Sequence, residues 1–189
     1  MILSDRDIRY WMNKGEIGLQ GYEDLEDQIQ PASIDLHLGV GMIEYAKNSQ
    51  LYPNWSNHIA NTHYNKGEKC TITDLLDDAY DVYPGRFYLG TTQERIKLGN
   101  NIGARIEGKS SLGRKGLVVH CTAGWIDPGF EGEITLEIFS VMPCIQVLKP
   151  GDKIAQICFF KLSSEVERPY GPERGSKYQN QRGPTRSRG

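Results

Sequence analysis

From Ile102 onward the chain keeps interrupting its apolar runs. Ala104–Ile106, Leu117–Cys121, Ile134–Phe139, Ile145–Leu148 and Ile154–Phe160 are each short, and Gly, Pro or Asp separates one from the next. Runs of this length fit strands better than helices, and turn residues at such intervals suit an all-β sandwich or barrel. Upstream, Gln30–Gly39 alternates Ile34, Leu36 and Leu38 with Ser33, Asp35 and His37, the period of two expected of a strand. Tyr83-Pro84-Gly85 reads as a turn leading into a strand at Phe87–Thr91. Only the start reads as helix. Ser4 is a good N-cap with Asp7 three residues on, Ile8, Trp11 and Met12 form one apolar stripe, and Gly15 is a stop. The expected fold is mainly β, a distorted β-barrel or jelly-roll-like core with an N-terminal helix. Ser49 to Lys69, rich in Asn, His and Tyr without periodicity, reads as a long loop or insertion.

A chain of 189 residues is long enough to bury one core without disulfide or metal staples. Its net charge of −2 is unevenly spread. From Arg168 to the end six cations face only Glu173, a net +5, which leaves the remainder at −7. This divides the chain into a body, residues 1–167, and a basic tail, residues 168–189. The acidic body argues against a general nucleic-acid binder. The tail, nearly devoid of apolar residues beyond Tyr170 and Tyr178, is expected to be mobile unless a ligand orders it, and its charge suits one small polyanion such as a triphosphate. No apolar run approaches the ~20 residues of a membrane span. Charges at Asp5 and Arg6 do not fit a signal peptide, so no membrane partner and a cytoplasmic location are expected. Cys70, Cys121, Cys144 and Cys158 show no C-x-x-C spacing, and buried reduced thiols are expected.

Two stretches carry chemistry. In Gly108–Arg114 the cations Lys109 and Arg114 and the hydroxyls of Ser110 and Ser111 lie among glycines, a set that can hold phosphate oxygens. In Ile134–Phe139 the residues Ile134, Leu136 and Ile138 share one strand face, and Thr135, Glu137 and Phe139 share the other with Glu133. Glu133 suits the solvated face, whereas Glu137, between Leu136 and Ile138 and next to a turn bearing Asp127, is expected to sit deeper. A carboxylate partly withdrawn from water can both take and give a proton.

In order and spacing, these pieces resemble the dCTP deaminase family of the dUTPase superfamily. The resemblance runs through MILSDRD at Met1–Asp7, Gln30–Gly39, EGKSSLGR at Glu107–Arg114, HCTAGWIDPGF at His120–Phe130, Ile134–Glu137, PGDKIAQ at Pro150–Gln156 and Arg168–Gly183. It implies a dUTPase-type homotrimer whose sites lie between subunits. Lys109, Ser110, Ser111 and Gln156 would hold phosphates, and Tyr170, Lys177 and Gln181 of the tail would close over the triphosphate. Glu137 would be the general acid and base, Ser110 and the Ala123 carbonyl would hold the attacking water, and Arg114 would orient Glu137. Asp127 would meet the deoxyribose 3′-OH or a second reactive water, with Phe130 beside the sugar. The resemblance also implies Mg²⁺ carried mainly on the triphosphate and water, with no protein metal cage, and feedback by dTTP through His120, Cys121 and Thr122.

A zinc deaminase needs H-x-E followed by P-C-x-x-C. Here His37, His58, His63 and His120 are followed two residues on by Gly39, Ala60, Asn65 and Thr122, so a side chain must activate the water instead. Ala123-Gly124-Trp125-Ile126-Asp127 is similar to the bifunctional branch, which also hydrolyses dUTP to dUMP and pyrophosphate, rather than to the Ala-His-Arg-Ile-Asp of single-activity deaminases. Gly124 is read as leaving space beside the pyrimidine. The alternatives are a single-activity deaminase releasing dUTP and a nucleotide-gated regulatory binding protein.

Overall fold

A computed structural model describes residues 1–47, 61–64, 70–76 and 78–188. The helix forms where the sequence places it. In α1 (Asp5–Asn13) the Ser4 hydroxyl caps the Asp7 amide, and Gly15 lies at φ +76° just beyond the end. Ile8 is fully buried, and Trp11 and Met12 pack on the same core.

The rest is antiparallel sheet. The larger sheet runs β10 (Leu117–Val118), β12 (Glu131–Ser140), β8 (Phe87–Leu98), β4 (Met42–Lys47), β6 (Cys70–Leu75) and β5 (Asn61–Tyr64), with β1 (Ile17–Gln20) also paired to β8. The smaller runs β11 (Trp125–Ile126), β9 (Ile102–Gly108), β14 (Lys153–Lys161), β3 (Ser33–His37) and β2 (Ile29–Gln30). A third pair joins β13 (Gln146–Leu148) to β7 (Tyr80–Val82). Two short helices, α2 (Leu25–Gln28) and α3 (Ser110–Gly113), interrupt the sheets. Leu136 and Ile138 of β12 join Ile34, Leu36, Ile106, Ile157 and Phe159 of the other sheet in one core, all at 2% exposure or less. Truncating one such side chain to alanine costs roughly 2–5 kcal/mol.

Three features differ from what residue pattern alone suggests. Part of the presumed loop is strand: Asn61–Tyr64 pairs with Thr71–Asp74 of β6, while 49–60 and 65–69 lie outside the described residues. Backbone pairing along a neighbour supplied an order that the polar composition did not signal. Next, β3 is buried on both faces. Its polar face packs on other polar groups, with His37 Nδ1 2.7 Å from Glu94, itself fully buried, and Lys109 Nζ 2.5 Å from Asp35. Third, the described thiols are not buried: Cys121 and Cys144 lie exposed in loops between strands, and Cys158 in β14 is half-buried. Among the described residues no helix is long and apolar enough to cross a membrane.

Candidate active site

The outer face of β12 carries the candidate base. Leu136 and Ile138 point into the core and leave Glu137 on the opposite face, where its pair partner across the sheet is Leu89. Glu137 is half-buried, as Glu133 is, so its neighbours in the strand do not sink it further. What covers it is the turn after β10. Glu137 Oε2 accepts the backbone N–H groups of Cys121 at 3.1 Å and Thr122 at 3.0 Å, and the Thr122 hydroxyl lies 3.3 Å from both carboxylate oxygens. The same contact joins the expected base to the expected control segment. Burial, then the Glu137 charge, push the Cys121 thiol above its ordinary pKa.

Beside this carboxylate opens a cleft of about 670 Å³. Ala123, Asp127, Phe130, Glu137, Tyr170 and Gln181, all singled out by the sequence, line it together. Asp127 is exposed and accepts the Trp125 indole N–H at 3.0 Å. Phe130 and Tyr170 meet edge to face with ring centroids 5.8 Å apart. The cleft also uses residues that sequence reading missed: Tyr45, Phe87 and Leu89 from β4 and β8, with Tyr178 and Thr185 from the tail. Only strand register brings the first three here, because Tyr45 pairs with Phe87 and Leu89 lies opposite Glu137.

The tail has more to hold it than its composition suggests. It lies along β12, and Gln181 is 7% exposed. Lys177 is exposed and does not line the cleft.

The other predicted residues form a second group. Lys109, Ser110, Ser111, Arg114 and Gln156 do not line the cleft. Lys109 is tied to Asp35, which is 3% exposed along its side chain and lies 3.7 Å from Lys153. The Gln156 side-chain Oε1 accepts the Ser33 hydroxyl at 3.2 Å. Ser110, Ser111 and Arg114 are exposed on and just after the single turn of α3. Asp35 and Lys153 were absent from the expected site, although the polar face of β3 was the signal for the first.

Gly124 is explained differently from the expectation. It is buried, and a Cβ there would lie 2.8 Å from His120 Nε2 and 3.2 Å from the Ile106 carbonyl. The missing side chain makes room for His120, not for the cleft, whose lining does not include Gly124. Among the described residues no three His, Cys, Asp or Glu side chains converge as a metal site.

A family model described as dCTP deaminase-like matches residues 2–162. A Dictyoglomus thermophilum protein named "dCTP deaminase, dUMP-forming" is 43% identical over 189 residues, covering all of this chain and 94% of its own. A Natronomonas pharaonis protein named "dCTP deaminase" is also 43% identical, over 194 residues with the same coverage. The solved structure of 2′-deoxycytidine 5′-triphosphate deaminase from Agrobacterium tumefaciens shares the fold, with a TM-score of 0.59 and 24% identity over 84% of this chain and 47% of that one. By its full-length relatives and its family match, this chain belongs to the dCTP deaminase-like family.

Proposed function

We propose that this chain is a cytoplasmic, homotrimeric enzyme that hydrolyses dCTP to ammonia and dUTP and carries dUTP on to dUMP and pyrophosphate. The observation that supports it most is the convergence of Glu137 with Ala123, Asp127, Phe130, Tyr170 and Gln181 on one cleft. In deamination Glu137 takes a proton from water as the oxygen adds to C4 of the cytosine. It passes that proton to N3, then takes the proton of the new C4 hydroxyl and gives it to the amine, which leaves as ammonia while C4=O forms. Its Oε1 is the oxygen for this work, since Oε2 already takes two backbone N–H groups. The Ala123 carbonyl and a neighbouring subunit's Ser110 hold the water, and that subunit's Arg114 orients the carboxylate. Lys109, Ser111 and Gln156 from the same group bind the phosphates of Mg²⁺–dCTP, the metal arriving on the substrate as that ion prefers. Tyr170, Gln181 and Lys177 close the tail over them. Asp127 meets the sugar side, where a second water attacks the α-phosphorus and releases pyrophosphate.

The experiment is a time course of dCTP, dUTP, dUMP and pyrophosphate after mixing protein, dCTP and Mg²⁺. dUMP should appear with little free dUTP. Stoichiometric dUTP would leave the single-activity reading, the activity in the name of the Natronomonas relative. No turnover would refute the proposal. Feedback by dTTP would act on the His120–Thr122 segment that grips Glu137, by favouring the less active arrangement. A lag or sigmoidal dCTP dependence sharpened by dTTP is expected, and simple competition without either would count against it.

A further inference from the structure

We infer that Glu133 is a positioning residue for this reaction, the seat that holds the C-terminal tail beside the cleft. The inference rests on the proposed role of the tail in closing over the nucleotide. One edge of β12 pairs with β8 along its length, but the other pairs with β10 only at Phe139 and Ser140. The edge from Glu131 to Glu137 is left for the tail, which runs along it in the same direction. Asn180 N–H donates to the Glu131 carbonyl at 2.7 Å, and Thr185 N–H donates to the Thr135 hydroxyl at 3.2 Å.

Between these two contacts Glu133 uses all of its polar groups. Its N–H donates to the Gln181 carbonyl at 3.1 Å, and its carbonyl accepts the Gln181 side-chain amide at 2.6 Å. Its carboxylate Oε2 accepts the Gly183 N–H at 2.6 Å, a charge-assisted bond stronger than a neutral one. Gly132 allows the approach, because a Cβ there would lie 3.2 Å from the Gln181 nitrogen. Glu133 does not itself line the cleft, whereas Tyr178, Gln181 and Thr185 on either side of its contacts do. It therefore acts through the tail. A tail docked for only a fraction of the time lowers apparent substrate affinity by that fraction.

The test compares full-length wild type, Glu133→Ala and Glu133→Gln in dCTP turnover, in thermal melting and in tryptic cleavage after Arg182 with and without dCTP. Glu133→Ala should raise KM about tenfold with kcat within about twofold, and should speed cleavage after Arg182 by a similar factor at an unchanged melting temperature. Glu133→Gln keeps an acceptor oxygen and should recover most of the loss. Wild-type KM and cleavage in Glu133→Ala would overturn the inference. So would a fall in melting temperature and kcat with cleavage unchanged, which is the signature of a purely structural residue. A wild-type chain that never turns over dCTP would refute the proposed function, and the cleavage comparison would still decide whether Glu133 seats the tail.

Discussion

The cleft beside Glu137 and the turn at Lys109–Arg114 are built in opposite ways. In the cleft, one chain supplies the carboxylate, the donors that grip it, the aromatic walls and the tail that runs past it. At the turn, Lys109 is anchored on a buried carboxylate, but Ser110, Ser111 and Arg114 stand exposed and outside that cleft. The contrast teaches that, within one chain, the carboxylate with its cleft and the cationic turn stand apart. The shared site proposed above would bring the two together.

The largest test of the first half is Glu137→Gln. The amide keeps the shape and cannot shuttle protons, so deamination should fall about 10²–10⁴-fold. Equilibrium binding of dCTP should stay near wild type. Ammonia release near the wild-type rate would break the assignment.

The comparison itself is tested by mixing subunits. Glu137→Gln and Arg114→Ala chains should each be inactive alone. If sites are shared between neighbours in a cyclic trimer, random co-assembly at equal ratio should restore about a quarter of the wild-type sites. Mixtures that stay as inactive as their parents would mean that both halves act within one chain.

The half around Lys109 should be the more sensitive in stability. Lys109→Met removes the near cation from the buried Asp35 and leaves Lys153 at 3.7 Å. A loss of about 1–3 kcal/mol in chemical denaturation is expected, together with a raised KM. Equal stability of Lys109→Met and wild type would show that Asp35 does not depend on this partner.

Gly124→Ala tests the packing behind the His120–Thr122 segment. The added Cβ must push His120, and through it the turn that grips Glu137, so both reaction steps should slow severalfold. The product time course measures this. A defect confined to dUTP hydrolysis would restore the reading of Gly124 as open space beside the base.

The smallest effect concerns Cys121. Burial and the neighbouring carboxylate both favour its neutral thiol, so thiolate forms at higher pH than in a free cysteine. Alkylation by iodoacetamide at neutral pH should be slower than for a small free thiol and should accelerate as pH rises. Glu137→Gln, which removes the lesser of the two causes, should speed it modestly.

Local signals were legible wherever a residue's own chain neighbours decide its state. The cap at Ser4, the alternation in β3 and the apolar face of β12 needed only the spacing of side chains. The strand at Asn61–Tyr64 was not legible, because its order comes from pairing with β6. The depth of Glu137 was misattributed for a similar reason. Leu136 and Ile138 point to the other face, and the cover comes from residues 15 and 16 positions away in the chain.

The sequence by itself determined that this is a β-rich chain of the dCTP deaminase-like family and named most of the groups that meet in its cleft. These are properties of residue type and short-range periodicity, which survive without coordinates. Only the tertiary structure decided that Lys109 rests on Asp35, that Gly124 makes room for His120, and that Glu133 receives the tail. The first and last join segments 74 and 50 residues apart, and the second depends on how one short loop folds back on itself. A register shift of one residue in β3 or β12 would send Asp35 or Glu133 to the opposite face of its sheet.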